Sequence, residues 1–247
     1  MQQKRTVGSR LSLSLLLFSL LLGAILLMFG AITHHFSAPD TTDADVPTAM
    51  KYTVILDPGH GGEDGGAVGK NGVYEKDLNL AVAQEIEAAL EERGISVICT
   101  RTEDILLYDR NVDYKGRKKM LDLAARLKVA KDTPDSVFIS IHMNSFPQTQ
   151  YSGLQVYYSG NDPRSAALAN LIQNEVRRQL QPENARKTKQ ASSNIYLLDR
   201  ITSPAILIEC GFLSNAEECE RLSTEAYRKE LALVLATAIA DYVDSLS

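Results

Sequence analysis

The stretch Tyr52–Gly62, YTVILDPGHGG, joins a short β-branched run to a turn rich in proline and glycine. A run bounded in this way predicts a buried strand over Tyr52–Leu56. The turn that follows carries His60 among glycines, where the backbone can approach a ligand closely. The stretch therefore indicates both a fold element and a candidate functional site.

Strand and helix patterns alternate along the chain that follows this stretch. Apolar residues at helical spacing predict helices over Leu78–Glu92, Lys115–Lys131, Asp162–Leu180 and Glu225–Val243. Short apolar and β-branched runs predict further strands over Ser96–Thr100, Ser136–Ile141, Gly153–Ser159, Asn194–Leu198 and Ala205–Ile208. The polar segment Gln181–Ser193 is expected to form a mobile loop.

This alternation predicts the fold class. Strands that alternate with helices pack in layers, so residues 51–247 are expected to form one α/β domain. Its central sheet is expected to be mostly parallel or mixed, with helices on both faces. Ligand sites in such sheets lie beyond the carboxyl ends of the strands. Residues that follow strands are therefore the first candidates for function.

The composition excludes several classes of protein. The 247 residues include 26 Lys and Arg against 31 Asp and Glu, a net charge of −5. This acidic balance argues against a nucleic-acid-binding protein, whose surface would need a surplus of positive charge. With 45% hydrophobic residues, the chain is expected to fold. Its three cysteines do not form a dense disulfide framework, so the packed core has to stabilise the domain.

A long apolar segment lies near the N-terminus. Leu11–Thr33 contains 23 residues without a charge, enough for a helix to cross a hydrocarbon core of roughly 30 Å. Lys4, Arg5 and Arg10 precede this segment, so the positive-inside rule predicts that the N-terminus is cytoplasmic. A cleaved signal peptide is the alternative, but its apolar region would span only roughly 7–15 residues.

These features predict the domain organisation. Residues 1–10 are expected in the cytoplasm and residues 11–33 in the membrane as an uncleaved anchor. Residues 34–50 form a polar linker with two prolines, and residues 51–247 form the extracytoplasmic domain. We therefore expect a single-pass membrane protein whose working domain lies outside the cytoplasm.

The histidines of this domain stand at strand ends. His60 follows the first predicted strand, His142 follows the strand over 136–141, and Glu75 comes 15 residues after His60. Two imidazoles and one carboxylate form the ligand set of a catalytic zinc ion that leaves its fourth position to water. Glu63 and Asp64 are nearer to His60 than Glu75 is, and spacing does not decide between these carboxylates.

A catalytic base has a separate candidate. Glu209 ends the apolar AILI strand, and a carboxylate there is costly unless it has a partner or a task. The neighbouring Cys210 suggests an alternative, a thiol nucleophile paired with His142. A cysteine in an apolar strand is more often a small core residue, so Glu209 is favoured.

Four segments resemble the zinc N-acetylmuramoyl-L-alanine amidases of the type-3 amidase family. They are ILDPGHGGEDGGAVG at 55–69, VYEKDLNLAVA at 73–83, VFISIHMNS at 137–145 and ILIECGFLSN at 206–215. The resemblance runs from about Tyr52 to the C-terminus. Within the family, the stretches at 116–130 and 186–215 are most similar to germination-specific amidases of the spore cortex.

The resemblance implies a function and a set of roles. The family's zinc ligands fall on His60, Glu75 and His142, which implies one zinc ion per chain, and its catalytic glutamate falls on Glu209. The implied reaction is hydrolysis of the amide between the lactyl group of N-acetylmuramic acid and L-alanine in peptidoglycan. Cortex maturation by muramic δ-lactam formation is the implied role, and Asn144 is expected either to orient substrate or to form a turn.

Other interpretations stay open at this stage. A catalytically silent wall-binding protein could keep the fold, although it would be expected to lose a ligand or Glu209. Other zinc peptidases or deacetylases use similar ligands. Because no wall-binding module is evident in the sequence, we expect targeting to depend on the membrane anchor or on a protein activator.

Overall fold

One mixed sheet organises the computed structural model, which describes residues 52–109, 111 and 114–246. Its six strands in this part of the chain are β1 (Thr53–Pro58), β2 (Val97–Cys99), β3 (Ser136–Asn144), β4 (Gln155–Tyr158), β5 (Lys189–Gln190) and β6 (Ala205–Phe212). The strand order is β2-β1-β3-β6-β4-β5. Strands β1, β2, β3 and β6 run parallel, and β4 runs antiparallel to β6. The predicted mixed sheet is confirmed.

Helices cover both faces of this sheet, as the alternation predicts. They are α1 (Glu75–Glu91), α2 (Lys118–Asp132), α3 (Arg164–Gln179), α4 (Tyr196–Arg200), α5 (Ala216–Ser223) and α6 (Glu225–Asp244). Successive residues of β1 point to opposite faces. Val54 and Leu56 therefore belong to a large core with α1, α3 and α6, while Ile55 belongs to a smaller core with Leu127 and Leu198.

Helix α1 shows why the sequence folds this way. Leu78, Val82, Ile86 and Leu90 recur at a spacing of four residues and are all buried against the sheet. Burial of each side chain contributes about 1.5–3 kcal/mol. Glu75 is the first residue of this helix, which starts three residues before the predicted boundary at Leu78. The helix therefore carries a candidate ligand in its own first turn.

Two strands extend further than predicted. Strand β3 continues past Ile141 to Asn144, and β6 continues past Ile208 to Phe212. His142 and Glu209 therefore lie inside strands and face each other in register, instead of standing in the loops that follow. The backbone hydrogen bonds of neighbouring strands hold both side chains more firmly than a loop would.

The strand predicted over Asn194–Leu198 is wrong, because residues 196–200 form helix α4. Short apolar runs do not distinguish a strand from a buried helix. Strand β6 already pairs with β3 on one side and β4 on the other, so no sheet position beside it is open. Leu197 and Leu198 pack instead into the smaller core.

Helix α5 was not predicted from the sequence. Its N-cap residue, Asn215, accepts a hydrogen bond from the backbone N–H of Glu218.

The segment expected to be a mobile loop, Gln181–Ser193, is tied to the rest of the fold. It contributes β5, which pairs with β4. The Gln181 side chain accepts a hydrogen bond from the backbone N–H of Leu154, at 2.8 Å, and the Asn184 side chain donates to the Leu154 carbonyl, at 2.9 Å. The segment is therefore a fixed part of the sheet edge.

The predictions for the N-terminal part concern residues 1–50, which lie outside the described residues. The cytoplasmic segment 1–10, the membrane anchor 11–33 and the linker 34–50 therefore stay predictions. Among residues 52–109, 111 and 114–246, the helices are too short or too polar to cross a membrane.

Candidate active site

The turn after β1 places His60 in an uncommon backbone conformation. His60 has φ 62°, in the left-handed region that non-glycine residues rarely adopt. Such a residue costs about 1–3 kcal/mol and persists where its surroundings fix it. Here the buried Arg126 donates from Nη2 to the His60 carbonyl at 2.7 Å and from Nη1 to the Pro58 carbonyl at 2.8 Å.

A second arginine holds the same turn. Arg101 is buried and donates to the carbonyls of Pro58 and Gly59, each at 2.9 Å. Asp57 balances the charge of Arg126 through a contact of 2.6 Å between Oδ1 and Nη1. Burial alone would raise the pKa of Asp57, but Arg126 and two hydroxyl hydrogen bonds hold it below its usual value. Neither arginine was predicted from the sequence, because their spacing matches no motif.

The three candidate ligands predicted from the sequence come together at the carboxyl end of the sheet. Glu75 Oε1 lies 3.2 Å from His60 Nε2 and 2.9 Å from His142 Nδ1. Candidate ligand atoms of all three residues lie within 4.8 Å of one another. Residues from β1, α1 and β3 thus converge on one point, although they are far apart in the sequence.

Glu75 is surrounded by hydrogen-bond donors. Its Oε2 accepts from the backbone N–H of Ala67 at 2.8 Å, and its Oε1 accepts from the backbone N–H of Met143 at 3.1 Å. Asn79 Nδ2 lies 3.4 Å from Oε1 and also donates to the Gly59 carbonyl. Burial would raise the pKa of Glu75, but hydrogen bonds with His142 and His60 hold it well below its usual value. This carboxylate is therefore ionised.

Two glycines leave room for the ligands. A Cβ at Gly59 would lie 2.2 Å from the His142 ring, and a Cβ at Gly66 would lie 2.5 Å from Glu75 Oε2. Gly66 also has φ 66°, which favours glycine. Ligand atoms around a tetrahedral zinc ion lie about 3.3 Å apart, given bonds of roughly 2.0–2.1 Å. The separations of 3.2 Å between His60 Nε2 and Glu75 Oε1 and of 2.9 Å between His142 Nδ1 and Glu75 Oε1 are close to this, so the three residues could hold zinc.

The carboxylates that rivalled Glu75 take other positions. Glu63 is exposed and forms an ion pair with Lys118. Asp64 Oδ1 lies 2.9 Å from His60 Nδ1, the nitrogen that does not face Glu75. Burial would lower the pKa of His60, but Asp64 and Glu75 raise it to about 9. Asp64 therefore contacts the ring nitrogen opposite Glu75, the position from which a carboxylate orients a metal-ligating histidine.

Glu209 lies beside this cluster in a different environment. It is paired in register with His142 of β3 and with Gln155 of β4, so its side chain points to the same face as theirs. Its Oε2 is buried and has no hydrogen-bond partner in the described part of the chain. Burial, together with the negative charge of Glu75, raises the pKa of Glu209 to about 7, against the lowering effect of the two histidines. A carboxyl group with this pKa can both accept and donate a proton near neutral pH.

The two remaining candidates from the sequence are Cys210 and Asn144. Cys210 is fully buried in the large core, on the face of β6 opposite to Glu209, and burial raises the pKa of its thiol. A thiol nucleophile paired with His142 is therefore excluded by position. Asn144 lies at the end of β3, where its carbonyl accepts from the backbone N–H of Leu213 at 2.8 Å. Its predicted role in substrate binding stays a prediction.

Comparisons with known proteins cover this whole site. The family model described as N-acetylmuramoyl-L-alanine amidase matches residues 54–241. The germination-specific N-acetylmuramoyl-L-alanine amidase of Bacillus subtilis (strain 168) is 38% identical over 225 residues, which is 91% of this chain and 93% of that protein.

Solved structures with a similar fold include two in which the match extends over 98% of the solved chain. The CwlD amidase from Clostridioides difficile, in complex with the GerS lipoprotein, matches 78% of this chain with a TM-score of 0.73 and 37% identity. The N-acetylmuramoyl-L-alanine amidase AmiC2 of Nostoc punctiforme matches 78% of this chain with a TM-score of 0.66 and 31% identity.

Proposed function

This chain belongs to the N-acetylmuramoyl-L-alanine amidase family and acts on peptidoglycan, and we propose that it does so with one zinc ion during maturation of the spore cortex. The observation that carries the zinc proposal is the convergence of His60, Glu75 and His142 beside a buried carboxyl oxygen, Glu209 Oε2, to which the described residues offer no hydrogen bond.

His60, Glu75 and His142 would hold the zinc ion. When bound, zinc supplies a Lewis acid that polarises a carbonyl and lowers the pKa of water. Glu209 accepts a proton from the water whose oxygen attacks the lactyl carbonyl carbon. It then donates that proton to the alanine nitrogen as the C–N bond breaks, and the second proton of the water passes to the released amine, which leaves a lactyl carboxylate and an alanine ammonium group.

The first experiment measures metal content and stem-peptide release with the full-length protein, intact peptidoglycan and mass detection. The wild type is expected to contain near-stoichiometric zinc and to release intact stem peptides. His142→Ala is expected to lose both. His35→Ala, a histidine change in the N-terminal part of the sequence, is the matched control and should retain both.

Three outcomes would contradict parts of this proposal. Peptide release without metal would overturn the zinc assignment. Release of fragments cut within the stem peptide would indicate another zinc peptidase. Bound zinc with no release from any peptidoglycan, even when the proposed protein partner is added, would favour the catalytically silent wall-binding protein, whereas no release in its absence alone would indicate a missing activator.

The spore-cortex role is supported by the Bacillus subtilis relative, whose name describes it as germination-specific. The proposed product is cortex muramic acid without its stem peptide, ready to form muramic δ-lactam. A Bacillus subtilis strain that lacks its germination-specific amidase provides the test. Expression of this chain should restore muramic δ-lactam in the spore muropeptides, and Glu209→Gln should not. Activity on vegetative wall without restoration would contradict the cortex role.

We also propose that residues 11–33 anchor the protein in the membrane with the catalytic domain outside the cytoplasm, and that a protein partner regulates it. The apolar segment and the basic residues before it support the anchor. The Clostridioides difficile structure, which contains a lipoprotein, supports the partner. Protease added to intact cells should degrade the catalytic domain if this topology holds, and full protection would contradict it.

A further inference from the structure

A row of side chains crosses the carboxyl edge of the sheet and extends one strand beyond the proposed base Glu209. His142, Glu209 and Gln155 are register partners on β3, β6 and β4. Cross-strand partners have Cβ atoms about 5 Å apart on the same face. The Gln155 side chain is buried next to Glu209, on the side away from His142. Whatever contacts Gln155 is therefore one side chain away from the proposed base.

Arg186 is the charged residue that contacts Gln155. Its Nη1 donates to Gln155 Oε1 at 3.3 Å, and its Nε donates to the Ser152 carbonyl at 2.7 Å. Its guanidinium carbon lies 4.3 Å from the centroid of the Phe212 ring. The planar guanidinium is therefore held by stacking and by two hydrogen bonds, which fixes its direction.

The backbone that carries Arg186 is also fixed. Arg177 of α3 donates to the Arg186 carbonyl at 2.6 Å and to the Asn184 carbonyl at 2.7 Å. The Gln155 amide donates to the next carbonyl, that of Lys187, at 2.8 Å. Strand β5 begins two residues further on. A pre-organised cation loses little freedom when it binds a ligand, which favours affinity.

This cation has capacity to bind an anion. Among residues 52–109, 111 and 114–246, Nη2 of Arg186 has no hydrogen-bond partner, and no carboxylate forms an ion pair with the guanidinium. Glu218 lines the same cleft of about 630 Å³, but its oxygens accept hydrogen bonds from the backbone N–H groups of Gly153 and Phe212. A half-buried guanidinium with an open edge matches a carboxylate.

Glu183 and Glu217 line the cleft as well. Its potential is therefore not uniformly positive, and general attraction of anions does not explain an anion site there. Recognition would have to come from direct contact between the guanidinium and one carboxylate. Such contact also distinguishes a carboxylate from its neutral amide.

We propose that Arg186 is a specificity-determining residue that binds a carboxylate of the stem peptide. The carboxylate is the free α-carboxylate of the second residue, a γ-linked glutamate, which is the first carboxylate beyond the scissile amide. Two extended residues span at most about 7 Å, which exceeds the roughly 5 Å between cross-strand partners such as Glu209 and Gln155. This proposal rests on the proposed function, since it assigns a subsite to the same reaction.

The test compares two muropeptides that differ only at this group, one with the free α-carboxylate and one with the amide. We expect wild-type kcat/KM to favour the free acid by about 10- to 100-fold, mainly through KM, as one charge-assisted hydrogen-bonded pair provides. Arg186→Gln should reduce this preference to near unity, and Arg186→Lys should retain part of it. Arg178→Gln, an exposed change on α3, is the control and should keep the full preference.

Calorimetric binding of the same two compounds separates this proposal from the proposed function. If the wild type hydrolyses neither compound but binds the free acid through Arg186, the proposed function fails and the subsite stands. If wild type and Arg186→Gln discriminate equally between acid and amide, the Arg186 assignment is overturned. If Arg186→Gln does not fold, Arg186→Lys is used in its place once its melting temperature matches that of the wild type. A full preference for the free acid in Arg186→Lys would then overturn the assignment, and a partial preference would support it.

Discussion

Glu75 and Glu209 are two carboxyl groups at the same edge of the sheet, and their surroundings give them opposite properties. Glu75 accepts from two backbone N–H groups and contacts two histidines, and its pKa lies well below the usual value. Glu209 has a buried oxygen that accepts no hydrogen bond within the described part of the chain, and its pKa is raised to about 7. The two groups differ in the number of donors that reach them.

The difference shows how one fold assigns two roles to one residue type. A carboxylate stabilised by many donors is a good ligand and a poor base, since its proton affinity is low. A carboxyl group in an apolar setting retains its proton affinity near neutral pH, which general acid–base chemistry requires. The environments therefore support metal binding by Glu75 and proton transfer by Glu209.

The largest expected effect comes from Glu75→Gln, which keeps the size of the side chain and removes its charge. We expect zinc affinity to fall by more than about 100-fold, beyond the effect of changing a residue that only supports a ligand. Activity should fall below detection. Metal analysis and peptide release measure both, with the exposed Glu92→Gln as control. Full zinc content in the variant would remove Glu75 from the ligand set.

Glu209→Gln should separate metal binding from catalysis. We expect stoichiometric zinc to remain, because Glu209 is not among the converging ligands. The value of kcat should fall by about 10²- to 10⁴-fold, the range typical of general acid–base catalysis. Single-turnover measurements with muropeptides test this. Hydrolysis at the wild-type rate would show that another group transfers the proton.

Asn79→Ala is expected to weaken zinc binding, because it disturbs the position of Glu75, but by less than Glu75→Gln does. Asn79 donates to the Gly59 carbonyl and lies near Glu75 Oε1, so it links the helix to the turn before His60. Loss of this link should weaken zinc binding by about 10- to 100-fold. Competition with a chelator measures the change, and Gln84→Ala on the exposed side of α1 is the control. Unchanged zinc affinity would mean that Glu75 is positioned without Asn79.

The smallest expected effect concerns protons released on zinc binding. In the metal-free protein the pKa of His60 is about 9, so His60 is protonated at pH 8 and must lose that proton to bind metal. Zinc uptake should therefore release about one proton at pH 8, and zinc affinity should decrease as pH falls. Calorimetry in buffers of different ionisation enthalpy measures this release.

Asp64→Asn sharpens the same prediction, since the Asp64 contact contributes to the raised pKa of His60. The variant should release fewer protons than wild type at pH 8. Equal release from both proteins would indicate that Glu75 alone sets the protonation of His60.

Much of the fold could be predicted from local pattern. The helices at 78–92 and 225–243 were predicted close to their observed bounds because their apolar spacing matches the helical period, and the strand over 52–56 because its β-branched run ends at Pro58 and Gly59. Helix α4 was mistaken for a strand, since a five-residue apolar run fits both periods and only the occupied sheet edges exclude the strand.

The site was predicted in part. Two histidines at strand ends and a glutamate ending an apolar strand indicated metal and acid–base chemistry, because the carboxyl ends of parallel strands meet at one edge. Spacing left Glu63, Asp64 and Glu75 as rival ligands, and only the resemblance to a family favoured Glu75. The arginines that hold the turn, Arg101 and Arg126, were missed because both come from distant elements.

Periodicity and short contiguous motifs in the sequence were enough to predict the layered fold, the candidate residues and the family. The resemblance had favoured Glu75 as the third ligand, and packing of the elements then showed which carboxylate contacts the other nitrogen of His60 and which one keeps its proton near neutral pH. The physical reason is that pKa and ligand geometry depend on burial and on donors from other elements. Those contacts exist only once β1, α1, β3 and β6 are packed together.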